Sequence, residues 1–185
     1  MSFLENCKHM LKDRRYIFVK DNEFGEIWQH EETNMFVLLI TSISDSVQIR
    51  ILEPITKDLK LIGITSAIKI FRDCASSCVH SKILKLGESG MNIELVHTNQ
   101  LICNIMKHVF QPKYTKCSLA HAERAKALHL YALPQFVSED PVVTWMGWKR
   151  GDVIMMCFDR CESLCSPSDS QYVSCCPNAR FRIVV

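Results

Sequence analysis

The 185-residue sequence contains no apolar run approaching the roughly 18 residues that a membrane-spanning helix requires, which argues against a transmembrane span. Its opening, Met1-Ser2-Phe3-Leu4-Glu5-Asn6, lacks the basic-then-apolar order of a secretory signal. Together these absences predict an intracellular protein, and the ten cysteines are then expected as reduced thiols rather than disulfides. A surplus of charge is missing too: 22 Lys/Arg against 20 Asp/Glu leave +2, far from the strongly basic face of a domain that binds nucleic acid alone. Residues 1–106 hold 12 Lys/Arg against 13 Asp/Glu and residues 107–185 hold 10 against 7, so the two parts carry −1 and +3. Any contact with DNA is expected to be auxiliary. No phosphate loop, dinucleotide fingerprint, HExxH sequence or serine in a nucleophile-elbow context is present, and the seven histidines stand without a carboxylate or cysteine partner at a recognisable spacing. The sequence therefore leaves no catalytic residues and no cofactor site to propose.

What is present suffices for one large or two small cores: 48% of residues are apolar and 9% aromatic. Ser2 and Glu5 form a capping-box pattern ahead of Leu4, Cys7, Met10 and Leu11, predicting a helix that ends near Arg14-Arg15. After the acidic segment Asp21 to Glu32, the apolar stretches Met35 to Ile40 and Val47 to Leu52 predict strands. Thr65 caps a predicted helix with Ile68, Phe71, Ala75 and Cys78 at helical spacing, Ile83, Leu84 and Leu86 suggest a short strand, and Gly87 and Gly90 mark a loop. This alternation predicts an α/β domain over residues 1–106.

The texture then changes. Ser118 to Leu130 is rich in helix formers, and Asp140-Pro141 joins an N-cap carboxylate to a proline at the first helical position, where its missing N–H costs nothing. Gly147 closes that turn, and Lys149-Arg150-Gly151-Asp152 precedes an apolar strand, Val153 to Phe158. In the last six residues Phe181, Ile183 and Val185 alternate with Arg180 and Arg182, the pattern of a half-buried strand. A small α+β domain with a mixed sheet is expected over residues 107–185.

The residues of this second part carry a resemblance. Leu133-Pro134, Asp140-Pro141-Val142-Val143, Gly147-x-Lys149-Arg150-Gly151-Asp152-Val153 and the final Phe181-Arg182-Ile183-Val184 appear in the order of the fifth subunit of eukaryotic DNA-dependent RNA polymerases, a family that also includes a shorter archaeal polymerase subunit. Upstream, Lys107 to Pro112, Ser118, Asp13 to Tyr16 and Gly63-Ile64-Thr65 with Ile68-Lys69 are similar and collinear. The archaeal protein consists of the C-terminal domain alone, so a chain with an N-terminal part resembles the eukaryotic or large-DNA-virus form. The resemblance implies an N-terminal jaw-like domain beside downstream duplex DNA and a C-terminal assembly domain. The partners it implies are the largest polymerase subunit and other polymerase subunits, with no membrane. It also implies a location in the nucleus for a cellular protein, or in a cytoplasmic factory or virion for a viral one.

Two departures stand out. Between Ile83–Leu86 and the segment Ile93 to Ile105 only Gly87 to Asn92 intervenes, where the family carries a loop and helix near DNA. This leaves Arg72, Lys82 and Lys85 as the DNA-proximal cations, touching a duplex weakly and only within a complex. The short turn between the family's last strands is replaced by the longer stretch Cys157 to Asn178.

Several residues admit two readings. Lys149 and Arg150 are either interface cations or a solvated hairpin rim. Trp145 and Trp148 either anchor an interface or fill the core, and their spacing by three suggests that at least one is buried. Arg182 either faces solvent or pairs across an interface. Asp140, Pro141, Gly147 and Gly151 are structural turn residues. The rival function is a zinc-stabilised interaction module built on Cys157, Cys161, Cys165, Cys175 and Cys176, although their spacing departs from the paired ligands of structural zinc sites.

Overall fold

The computed structural model describes residues 2–47, 56–57, 59, 61–128, 133–157 and 179–185. The chain is a mixed α/β protein with two compact units, residues 1–104 and 105–185.

Unit 1 opens with α1 (Phe3–Asp13), whose N-cap Ser2 hydroxyl accepts the Glu5 N–H at 3.2 Å. Five strands follow in spatial order: β1 (Tyr16–Asn22), β2 (Gly25–His30), β3 (Phe36–Val47), β4 (Ser66–Ala75) and β5 (Asn92–His97), with α2 (Ser77–Glu88) joining β4 to β5. β1, β2 and β3 pair antiparallel, whereas β3, β4 and β5 pair parallel, so the sheet is mixed. One face carries Ile27, Leu38, Ile40, Ala67 and Ile93, packed with Leu59, Ile64 and the α2 residues Ile83 and Leu86. The other face carries Glu26, Trp28, Ile68, Ile70, Glu94 and Val96 by strand alternation. Ion pairs from α1, Lys8 to Glu26 and Arg14 to Glu94, each 2.6 Å, lay the helix across that face. Asn6 completes the attachment by donating to the carbonyls of Leu101 at 2.7 Å and Ile102 at 3.2 Å.

The 66–75 segment is a strand, not the helix its spacing predicts. Burial on both faces makes Ala67, Ile68, Lys69 and Ile70 uniformly inaccessible. A continuous run of this kind in a parallel sheet has no period-two signature, so Ile68, Phe71 and Ala75 fit a helical template by coincidence. The helix begins one element later. The Ser76 hydroxyl caps it by accepting the Val79 N–H at 3.4 Å, and Val79, Ile83 and Leu86 form its inward stripe while Leu84 is 71% exposed. The strand expected at 83–86 is therefore part of α2. The β1–β2 hairpin replaces what reads as an acidic connection, because Glu26 is buried against Lys8 and accepts the Trp28 indole N–H at 3.1 Å. The strand expected over Val47 to Leu52 falls, beyond Val47, outside the described residues.

Unit 2 contains a 3-10 turn (Ile105–Lys107), β6 (Lys113–Lys116), α3 (Leu119–Leu128), β7 (Gln135–Phe136), α4 (Pro141–Met146), β8 (Val153–Cys157) and β9 (Ala179–Val184). Its sheet runs β6-β8-β9-β7, antiparallel except where β7 pairs parallel with β9. Ile154, Met156 and Val184 pack with Phe136 and with Val143 of α4 on one face. Val153, Phe181 and Ile183 pack with Leu133 and with Ala122 and Ala125 of α3 on the other. A helix on each face accounts for the full burial of β8. It also corrects the half-buried pattern expected of the last strand: Val184, on the arginine face, is buried at 1% exposure, and Val185 is only half-buried.

Two outcomes follow for unit 1. A Cβ at Gly25 would lie 2.0 Å from the Leu39 carbonyl oxygen across the β2–β3 ladder. Gly25→Ala is expected to destabilise the unit by about 3 kcal/mol in urea titration, and a loss below about 1 kcal/mol would contradict the packing. Burial pushes the Cys7 thiol up to about 12, so it should resist iodoacetamide at pH 8 in the native chain. The exposed Cys74, Cys78 and Cys103 should react, and labelling of Cys7 at a comparable rate by mass spectrometry would refute its burial.

Candidate functional site

From α4 to β8 the local geometry is tightly specified. The Asp140 carboxylate accepts the Val142 N–H at 2.8 Å, Pro141 occupies the first helical turn, and Gly147 terminates the helix at φ 67°. A glycine with no Cβ takes that left-handed conformation without strain. Trp148 N–H then returns to the Val143 carbonyl at 3.2 Å, which reverses the chain into the turn Lys149–Asp152.

That turn is closed twice. Asp152 accepts the Lys149 N–H through its carboxylate at 2.9 Å and donates its own N–H to the Lys149 carbonyl at 3.0 Å. Gly151, at φ 93°, donates to the Val184 carbonyl at 2.9 Å, and Val184 donates to the Asp152 carbonyl at 2.9 Å. The Lys116 ammonium adds an ion pair to Asp152 at 2.8 Å. Lys149 and Arg150 are thereby held exposed, side by side, on a rigid tip. The contribution of Asp152 and Lys116 was hidden in the sequence, where the only local signal was an aspartate three residues after Lys149.

The two tryptophans separate. Trp145 is 1% exposed and belongs to the interior of unit 2, so as a buried side chain it offers no surface to a partner. Trp148 is half-buried beside Tyr114 (5.9 Å between ring centroids) and Phe136 (6.5 Å). Arg182 is half-buried and engaged within unit 2. Its guanidinium lies 5.0 Å from the centroid of the Phe136 ring and donates to the Gln135 carbonyl at 3.4 Å. Cation–π contact of this kind ties β9 to β7. The structure therefore gathers Lys149, Arg150, Gly151 and Asp152 at one turn pinned to β9, and gives Trp145 and Arg182 work inside the unit.

In unit 1, Arg72 is on β4 rather than on a helix, while Lys82 and Lys85 share a face of α2. The expected shortening also changes meaning. Gly87 to Asn92 is the end of α2 and its link to β5, so a helix does precede β5.

Of the zinc candidates, Cys157 is buried in β8, and Cys161, Cys165, Cys175 and Cys176 lie outside the described residues. Among the described residues no group of three His, Cys, Asp or Glu side chains is placed to hold a metal ion. His30, His97 and His108 use Nδ1 to accept backbone N–H groups within local turns, of Glu32, Asn99 and Phe110 at 3.2, 3.0 and 3.3 Å. No protein-family model matches the chain.

The geometry separates backbone from charge at the tip. Gly151→Val forces a β-branched residue into positive φ and is expected to cost about 1–3 kcal/mol. The double change Lys149→Glu, Arg150→Glu should leave stability within about 0.5 kcal/mol. Thermal unfolding of both variants checks this, and equal losses would contradict the assignment of roles.

Proposed function

We propose that this chain is a non-catalytic subunit of a multisubunit DNA-dependent RNA polymerase, bound to the largest subunit through unit 2. The observation that carries the reading is the resemblance of residues in unit 2 to the fifth-subunit family. Asp140, Pro141 and Gly147 are the residues favoured at the start and end of α4, Gly151 fits a positive-φ position in the turn after it, and they stand in the order that resembles the family. A motif of turn residues that matches both sequence order and conformational requirement is a stronger support than the residue string alone. The exposed Lys149 and Arg150 then supply interface cations, whose planar or point charges suit carboxylates on the largest subunit.

Under this reading unit 1 serves as the jaw-like part, contacting downstream duplex DNA only where other subunits already hold it. The net charge of −1 over residues 1–106 supports an auxiliary contact, since non-specific DNA affinity is built from clustered Lys and Arg. The catalytic metal belongs to other subunits. The protein then works wherever its polymerase does, in a nucleus or in a viral factory or virion.

The test is mass spectrometry of whatever co-purifies with the full chain, tagged and expressed in its native host at its natural level. The two large polymerase subunits in near-equal amount to the bait are expected. Their absence from a preparation in which the bait is soluble and folded would overturn the proposal.

A further inference from the structure

In unit 2 the segment between the 3-10 turn and β6 makes a reverse turn with unusual side chains at its tip. Val109 is 81% exposed and Phe110 is 86% exposed. Two adjacent large apolar residues so open to water forgo burial worth about 1.5–3 kcal/mol each. Such a tip would ordinarily be loose, yet this one is fastened on both sides.

Gln111 N–H closes the turn on the His108 carbonyl at 3.0 Å, and Phe110 N–H donates to His108 Nδ1 at 3.3 Å. The Tyr114 hydroxyl donates to the Gln111 side-chain carbonyl at 2.8 Å, and His108 N–H returns to the Ile105 carbonyl at 3.2 Å. Pro112 fixes the exit, and the Ile105–Lys107 turn packs against α4. The apolar tip is therefore preorganised, which removes much of the ordering cost of inserting it into a partner.

Charge indicates the kind of partner. From residue 95 to residue 122 the chain has no Asp or Glu, and it carries Lys107, Lys113 and Lys116. Lys116 is engaged by Asp152, whereas Lys107 and Lys113 flank the turn and are exposed. An exposed aromatic side chain flanked by two cations complements an apolar socket rimmed by carboxylates.

Resting on the polymerase reading, we infer that the His108–Gln111 turn is an anchor that inserts Phe110, with Val109 beside it, into an acid-rimmed apolar pocket of the largest polymerase subunit. This contact is separate from the Lys149–Arg150 tip. Phe110 supplies the buried area, and the two lysines steer the approach and raise its salt dependence.

The experiment measures binding of the full chain to the purified largest subunit by biolayer interferometry, together with the melting temperature of each variant. Phe110→Ser is expected to weaken binding at least tenfold with the melting temperature unchanged. The pair Lys107→Glu, Lys113→Glu should mainly slow association at low salt. With p-benzoylphenylalanine at position 110, cross-links should map to a segment of the largest subunit rich in Asp and Glu. If the wild type binds and Phe110→Ser binds within twofold of it, the anchor is refuted while the polymerase reading stands. A melting temperature lowered by several degrees in Phe110→Ser would show that this chain itself covers the side chain, and would also refute it. Failure of the wild type to bind would overturn both.

Discussion

Strand β9 occupies the interior of the unit 2 sheet, between β8 and β7, and everything around the candidate site leans on it. Its residues satisfy backbone groups on both sides: Val184 exchanges hydrogen bonds with Gly151 and Asp152, Ile183 donates to the Pro134 carbonyl, and Val185 donates to the Phe136 carbonyl. Buried peptide groups left unpaired cost about 1–3 kcal/mol each, so removing this strand would strip partners from the Lys149–Asp152 turn and from β7 together. Arg182 adds a side-chain tie of the same kind over Phe136. The basic tip is rigid because a strand from the far end of the chain holds it.

Unit 1 depends on a different device, charge buried in pairs. The Arg14 guanidinium meets Glu94 through two hydrogen bonds, at 2.8 and 2.6 Å. Burial pushes its pKa down, but the carboxylate more than offsets this and leaves it above the ordinary value. Lys69 has a poorer arrangement. It is 2% exposed and donates to the Ser42 carbonyl and, at 2.9 Å, to the Ser42 hydroxyl, where the β3–β4 register shifts between Ile40 and Ser44. Burial lowers its pKa, so the ammonium is disfavoured by folding. Its cost is present at neutral pH and is relieved as pH rises through the lowered folded value toward the ordinary one.

Unit 2 was more legible in the sequence than unit 1, for a physical reason. Caps and positive-φ turns are written in single residues, so Asp140, Gly147 and Gly151 could be read one at a time. Strands covered on both faces leave no alternation of burial, which is why 66–75 imitated a helix and why the cover over the arginine face of the last strand, where Val184 is buried, could not be read. The β1–β2 hairpin was obscured because Glu26 is buried through a partner, Lys8, eighteen positions away in sequence. At the site, the exposed cations were evident from the residues, but the aspartate that closes their turn, the burial of Trp145 and the contact of Arg182 with Phe136 required the fold.

Unit 2 is proposed to hold the chain to a polymerase. This role is tested most directly by titrating residues 105–185, shown to be folded by circular dichroism, against the purified largest subunit in a calorimeter. One-to-one binding is expected, with an affinity within about threefold of the full chain, or less than about 0.7 kcal/mol. Binding that appears only when residues 1–104 are present, or no binding by either form, would contradict it.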